Sequence, residues 1–423
     1  MNQLAFVLLI TVLAYYYIIF GKGNKAVIVF GLGLVLFMTK IIEGMEPSNL
    51  SHIVDFNTLG LLFGMMIVVS FMRKTGFFQY SAIKVVKLSK ARFWRMTVLL
   101  MVLVALTSAF LDNLITIILV SPMLFLISDN LGMDAAPLIL LAIFIDNIGG
   151  MSTLIGSPLN IVLGSTSGLS FGQFLVTMGP IAIVAFVITL LIMKKSLPSS
   201  RDVADKMKIL SEMEASRAIT DRSLLMKTLY VFMAVLVGFA LHNVIEVELS
   251  VMAMLGAVVL LILSKRNFES IAEDIDWDTL FFYGGLYMIS YALEHVGVIS
   301  FIAGIFEPLV EHQLIMFLIM VWLSAMVVPL LSAVPATLIF APIIQKLISM
   351  GFDVNLWWAY AIGANLGSSL SPLGALQNLV GLNLLAKQTG KEYPFMRYVK
   401  EAARVCIPSL IAGSVYIIWL YVR

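Results

Sequence analysis

Charge is scarce in this chain: 12% of its 423 residues are charged and 61% are hydrophobic. Soluble domains run nearer a quarter charged and half apolar. A single cysteine, Cys406, excludes a disulfide framework and a thiolate metal site. Four scattered histidines (His52, His242, His295 and His312) offer no metal-ligand spacing. No basic stripe with interleaved aromatics is present, so nucleic acid is not an expected partner. There is no His-Glu-x-x-His, no nucleophile elbow, no paired-carboxylate metal motif and no nucleotide-binding loop, so neither an enzyme nor a cofactor is expected. No polar stretch is long enough to build a soluble core.

What the chain has instead is apolar runs. The expected fold is an all-α polytopic membrane protein. A membrane helix needs about 20 largely apolar residues. About ten such transmembrane helices are expected, near 3–20, 27–42, 57–76, 135–163, 174–193, 224–242, 249–264, 280–298, 355–385 and 405–422. The first lacks a basic leader and a small-x-small cleavage site, so it reads as a span rather than a signal peptide. Two further stretches, 98–128 and 314–350, carry a polar or Pro-containing interruption at their centres. Each reads as a re-entrant hairpin, which is tolerated where protein or a watery cavity covers the exposed backbone.

Positive charge assigns the sides. Arg73, Lys74, Lys84, Lys87, Lys90, Arg92 and Arg95 fall in a segment with no acidic residue, and a second basic cluster runs from Lys387 to Arg404. With these in the cytoplasm and both odd stretches as hairpins, the spans thread consistently and both termini lie outside the cell membrane. Segment 81–95 is basic and amphipathic; it reads as an interfacial helix or as a packed connector.

The chain repeats itself. "DFNTLGLLFG" from Asp55 matches "DWDTLFFYGG" from Asp276. "DNLITIILVSP" from Asp112 matches "SAVPATLIFAP" from Ser332, and "NIGGMSTLIGSPLN" from Asn147 matches "NLGSSLSPLGALQN" from Asn365. The order is the same in both halves, and an odd number of crossings per half makes them two inverted-topology repeats, a common plan for carriers. The first repeat is taken as 1–195, a cytoplasmic linker as 196–223 and the second repeat as 224–423.

The third pair of blocks places Gly, Ser and Asn inside apolar spans, where they break the helix. Freed backbone groups are costly in lipid and useful only if something is coordinated. Half-helix N-termini favour anions, and unwound carbonyls favour cations. Candidate binding residues are therefore Asn147, Gly149, Gly150, Ser152, Thr153, Gly156 and Asn160 in the first break, and Asn365, Gly367, Ser368, Ser371, Gly374 and Asn378 in the second. Asp112, Asn113 and Thr116 in the first hairpin and Ser332 and Thr337 in the second complete the set. Each break could instead be a kinked, glycine-packed helix interface. Asp112 and Asp146 are carboxylates deep in apolar sequence, which is functional by default. Burial disfavours the charged form, so proton coupling through either is feasible; either could also be structural. Glu294, Asp276 and Asp278 read as interfacial. The halves are unequal, because Ser332–Ala333 stands opposite Asp112–Asn113 and Ala364 opposite Asp146. The first half is therefore the expected ion or proton site, with a transported Na⁺ near Asn113 and Asn147 and no resident metal.

"LDNLITIILVSP" followed by "NIGGMSTLIGSPLN" resembles the ion transporter superfamily of secondary carriers. That group contains arsenite permeases, NhaD-type sodium–proton antiporters, citrate–metal carriers and the P protein. The resemblance implies hairpin tips and broken helices meeting at mid-membrane, a mobile transport domain beside a scaffold, and a homodimer. It matches Asp112, Asn113 and Thr116 to the hairpin motif and Asn147, Gly149, Gly150, Thr153, Gly156 and Asn160 to the loop. Ala333 departs from the family, which has Asn there. The expected function is secondary transport of a small ion or oxyanion-like solute, such as arsenite or citrate, coupled to H⁺ or Na⁺; Na⁺/H⁺ antiport is the alternative. A channel or a membrane-embedded enzyme is less well supported.

Overall fold

The computed structural model describes residues 3–21, 23–198 and 218–423. The expected linker 196–223 falls mostly outside the described residues. All regular structure among the described residues is helical.

The first half runs α1 (Gln3–Phe20), α2 (Lys25–Thr39), α3 (Phe56–Lys74), α4 (Phe77–Leu88), α5 (Phe93–Phe110), α6 (Asn113–Leu131), α7 (Ala136–Met151), α8 (Pro158–Ser167) and α9 (Phe171–Met193). The second runs α10 (Arg222–Ile245), α11 (Leu249–Ser264), α12 (Trp277–His295), α13 (Val298–Ile305), α14 (Gln313–Leu331), α15 (Ala333–Ser349), α16 (Leu356–Ser368), α17 (Leu376–Thr389) and α18 (Phe395–Val422). Both hairpins form, as α5–α6 and α14–α15. Both expected breaks occur, between α7 and α8 and between α16 and α17. The half-helices of the broken spans are only 10 to 16 residues long, too short to cross a bilayer singly.

The Asp–Thr pair of the first repeated block has a local cause. Asp55 caps α3, accepting from the Asn57 and Thr58 backbone N–H groups, and the Thr58 hydroxyl donates to its second oxygen at 2.6 Å. Asp276 caps α12 in the same way through Thr279. Capping carboxylates satisfy N–H groups that a helix start leaves orphaned. The two equivalent helices run in opposite directions. Lys74, at the end of α3, lies by Asp274, just ahead of α12, while Tyr287 in α12 reaches back toward Asp55.

The halves interlock. α2 packs on α12 and α11 on α3, each helix against one from the other half. Glycines permit this approach: a Cβ on Gly285 would lie 2.6 Å from the Phe30 backbone, and one on Gly64 would lie 2.7 Å from the backbone of Ala253 and Met254. Small residues let membrane helices approach closely where no hydrophobic gain drives association. Large apolar side chains on the outer faces of α1, α9, α10 and α18, including Val12, Ile183, Val237 and Val415, are exposed. In water these would form an aggregating patch; in a bilayer they face lipid.

One ion-pair cluster joins the halves at the basic end of α3. Asp274 accepts from Arg73, from Lys74 at 2.7 Å and from the Ser70 hydroxyl at 2.8 Å. Partial burial opposes ionisation of Asp274, but these bonds and the two cations hold its carboxyl below the usual range.

Two outcomes follow. Gly285→Val forces α2 from α12, and overpacking of this kind costs about 1–3 kcal/mol; a thermal midpoint in detergent equal to that of the unmutated protein would contradict the packing. Asp274 has a lowered folded-state pKa, so its stabilisation is fully present above its unfolded value of about 4 and is lost as pH falls through the lower folded value. The midpoint difference between the unmutated chain and Asp274→Asn therefore shrinks below pH about 4, and a pH-independent difference would refute the ion-pair account.

Candidate functional site

The broken spans leave backbone groups that need partners, and four asparagines supply them. Asn160 in α8 donates to the Gly150 and Thr153 carbonyls at 3.0 and 2.9 Å, bridging the first break. Asn378 in α17 donates to the Ser368 and Ser371 carbonyls at 2.8 and 3.0 Å, bridging the second. The remaining pair crosses between halves. Asn147 donates to Asn378 Oδ1, and Asn365 donates to Asn160 Oδ1, both at 2.8 Å. All four amides are buried. The same pseudo-two-fold governs the loops, where Thr153 donates to the Ala109 carbonyl and Ser371 donates to that of Pro329 at 2.9 Å. Each loop is thereby tied to the tip of its own hairpin.

The glycines allow close packing at the breaks. A Cβ on Gly149 would meet the Ala105 backbone at 2.5 Å, and one on Gly367 would meet that of Ala325 at 2.5 Å. Gly156 and Gly374 sit equally tightly on the Gly150 and Ser368 carbonyls. The glycine-packed interface and the helix break therefore coexist. Ser152 bonds back to the Gly149 carbonyl, Thr116 to that of Asp112, and Thr337 to that of Ala333 and to the Tyr360 hydroxyl. These side chains are committed within the protein.

A cavity of about 430 Å³ lies beside this clasp. Of the residues expected at the site, it gathers Asp112, Asn113, Asn147, Ser332 and Ser368. It also takes Ser157, Gln377, Asp276, Asp278, Thr279 and Tyr283, with Asn24 and Lys25 from the α1–α2 turn. Asp276 and Asp278, read as interfacial from sequence, line this cavity near the Arg73–Lys74 face. Asn24 donates to Asp278 at 2.9 Å, a pairing of residues distant in sequence, so no local signal could reveal it. Gln377 donates to Asn147 Oδ1 at 2.8 Å, and the Ser368 hydroxyl lies 3.1 Å from the same atom. The equivalent positions in the first half are Leu159 and Gly150, so the clasp is polar-enriched on one side only. A separate pocket of about 400 Å³, lined by Asp55, His52, Tyr287 and Glu294, lies toward the opposite face.

Six helix N-termini reach the cavity: those of α2 and α12, capped by Asn24 and Asp276, and those of α6, α8, α15 and α17. Asp112 caps α6, accepting from the Leu114 N–H at 2.8 Å. The starts of α8, α15 and α17 have no side-chain cap; Pro158 and Pro335 carry no N–H, so the first-turn donors left for a ligand are those of Leu159, of Ala333 and Val334, and of Leu376 and Gln377. The second hairpin turns at Ser332 with φ 72 and ψ 154, a region nearly restricted to glycine, where another residue stores about 1–3 kcal/mol of strain. Asn113 fits against Gly150, where a Cβ would fall 2.4 Å from its amide oxygen. The Ser108 hydroxyl donates to the Asp146 carbonyl at 2.6 Å and lies 2.6 Å from that same Asn113 oxygen. The Asp146 carboxylate is fully buried, and neither oxygen has a hydrogen-bond partner among the described residues.

Two antiparallel halves, two helical hairpins and two broken helices around a polar cavity suit a multi-pass membrane transporter, and the comparisons with known proteins agree. The chain belongs to the citrate transporter family, whose sequence profile matches residues 15–363. It is similar to a protein described as an uncharacterized transporter of Mycobacterium tuberculosis, 33% identical over 402 residues that cover 93% of this chain and 92% of that one. A 46 kDa membrane protein of Mycobacterium leprae is 32% identical, covering 92% of each chain. The human P protein is 29% identical over 90% of this chain and 55% of its own length. The crystal structure of the Alcanivorax borkumensis YdaH transporter shares the fold, with a TM-score of 0.63 at 14% identity, covering 96% of this chain and 98% of that one. The resemblance read from the hairpin and loop motifs is therefore upheld, and the protein is a secondary transporter rather than an enzyme.

The clasp generates its own test. Asn378→Ala strands the Ser368 and Ser371 carbonyls and one Asn147 proton, at about 1–3 kcal/mol for each unsatisfied group. In a double-mutant cycle with Asn147→Ala the losses should be non-additive, since the two residues share a bond. Additive losses in thermal midpoint would separate them.

Proposed function

We propose that this transporter moves a small oxyanion-like solute, such as citrate or arsenite, across the cytoplasmic membrane by alternating access, coupled to H⁺ or Na⁺. The observation that carries this reading is the convergence on one cavity of the N-termini of two hairpin arms, α6 and α15, and two half-helices, α8 and α17, three of them without a side-chain cap. Partial positive charge and open N–H groups at such termini suit an anion. Asn147, Ser157, Ser368 and Gln377 add neutral polar contacts. The Asp112 and Asp146 carboxylates are the coupling groups, one at the cavity wall and one buried behind Asn113. With the basic segments in the cytoplasm, both termini lie outside and the cavity faces inward. The sixteen helices of the hairpins, broken spans and remaining spans, all but α4 and α13, then form two inverted repeats of the boundaries given above, with hairpins and broken helices as the moving part. A homodimer, implied by the resemblance, belongs to the same reading.

Na⁺/H⁺ antiport is the second reading. It is favoured by three carboxylates at the cavity, Asp112, Asp276 and Asp278, which suit a hard cation.

Asp112→Asn separates coupling from folding, because Asn caps a helix about as well as Asp. Everted vesicles carrying a proton gradient, followed with a pH-sensitive dye, should respond to citrate or arsenite with the unmutated chain. The response should fall at least tenfold in Asp112→Asn at unchanged thermal midpoint. A response to Na⁺ or Li⁺ alone would select antiport, and transport by Asp112→Asn at the full rate would remove Asp112 from coupling.

A further inference from the structure

The basic segment after α3 divides into two chemically different parts. Arg73 and Lys74 are consumed by Asp274. Lys84, Lys87, Lys90, Arg92 and Arg95 are exposed, and none has a carboxylate partner among the described residues. They are arranged by the fold. Helix α4 buries Phe78, Ala82, Ile83 and Val86 against the protein, which turns Lys84 and Lys87 outward. The chain then makes a tight turn with two successive non-glycine residues in the left-handed region, Lys90 at φ 52 and Ala91 at φ 55. That conformation is costly for residues with a Cβ. It sets Lys90 and Arg92 beside the start of α5. The end of α9 reaches the same place, with Lys194 Nζ 5.0 Å from the Trp94 ring centre. Lys195 follows it, also exposed. Leu88, next to Lys87 in the chain, has 57% of its surface exposed.

We propose that the α4–α5 turn and the end of α9 form a seat for the headgroup of an anionic phospholipid. Lys194, from an element distant in sequence, meets Trp94, which Arg92 and Arg95 flank in the chain, and the unburied Leu88 adjoins Lys87 on the same connector. A phosphodiester fits the cations, and the acyl chains below it cover Leu88 and the exposed outer face of α9. Basic sites between helices at the cytoplasmic face attract anionic headgroups, with each Lys or Arg contributing, and tryptophan belongs at the headgroup level. The seat is independent of which solute is carried.

The test uses the full chain in detergent, with phosphatidylglycerol or phosphatidylcholine added at equal mole fraction. Thermal midpoint and lipid retained in native mass spectrometry are both read. Phosphatidylglycerol should raise the midpoint and be retained, and phosphatidylcholine should do neither. The triple variant Lys87→Gln, Lys90→Gln, Arg92→Gln should retain phosphatidylglycerol about tenfold or more less well. Arg397→Gln with Lys400→Gln, in the other basic cluster, should retain it normally. If the triple variant is unfolded without lipid, Lys194→Gln with Lys195→Gln replaces it under the same expectation. Equal retention by the seat variants and the unmutated chain, equal loss in the Arg397/Lys400 variant, no preference over phosphatidylcholine, or an equal midpoint rise with inorganic phosphate would each overturn the proposal.

Discussion

The structure depends on one constraint, that a helix broken inside a membrane must find partners for the backbone it exposes. Unpaired carbonyls and N–H groups in lipid cost several kcal/mol each. This protein answers with four buried asparagines. Each loop's carbonyls are bridged by the asparagine that follows it, and each asparagine oxygen accepts from the other half. The bond that repairs one break thereby docks the two halves at the same point. Packing follows from it: the hairpins must approach close enough for Thr153 and Ser371 to reach them, which demands glycine at 149, 156, 367 and 374.

The same constraint creates the binding surface. Carbonyls are satisfied within the clasp, whereas the N–H groups at the starts of α8, α15 and α17 are not matched by side chains. A polarity results: the closed side of each break faces protein and the open side faces the cavity. The symmetry is then broken where chemistry needs it. Asp112–Asn113 makes a capped, hydrogen-bonded tip, while Ser332–Ala333 makes a strained one. Gln377 and Ser368 crowd the Asn147 oxygen, and Leu159 and Gly150 leave the equivalent place around Asn365 apolar. Two half-sites built from matching sequence blocks thus present different chemistry to one volume.

Hairpins, broken spans and the repeat were legible from local rules. Length and hydropathy mark spans, and Gly, Ser and Asn within an apolar run mark a break. Asp–x–x–Thr marks a helix start because the cap is made within one turn. Candidate residues were less evenly legible. Asp112, Asn113, Asn147, Ser332 and Ser368 reach the cavity, but Thr116, Ser152, Thr153 and Thr337 spend their hydroxyls on nearby carbonyls or an adjacent tyrosine. A side chain of the same type in the same motif can do either, and the sequence does not say which.

By itself, the sequence determined that this is a helical membrane protein of two related halves, each with a hairpin and a break, because those features arise from interactions within a few turns. It also carried the family motif. Only the tertiary structure decided which polar groups share a site. Asp278 and Gln377 join the cavity through contacts with Asn24 and Asn147, more than two hundred residues away, and Asp276 lines it beside them. The interlocking of α2 with α12 and α11 with α3 is likewise invisible locally. Pairing across such distances depends on which faces meet when the inverted halves close, and that is a property of the folded whole.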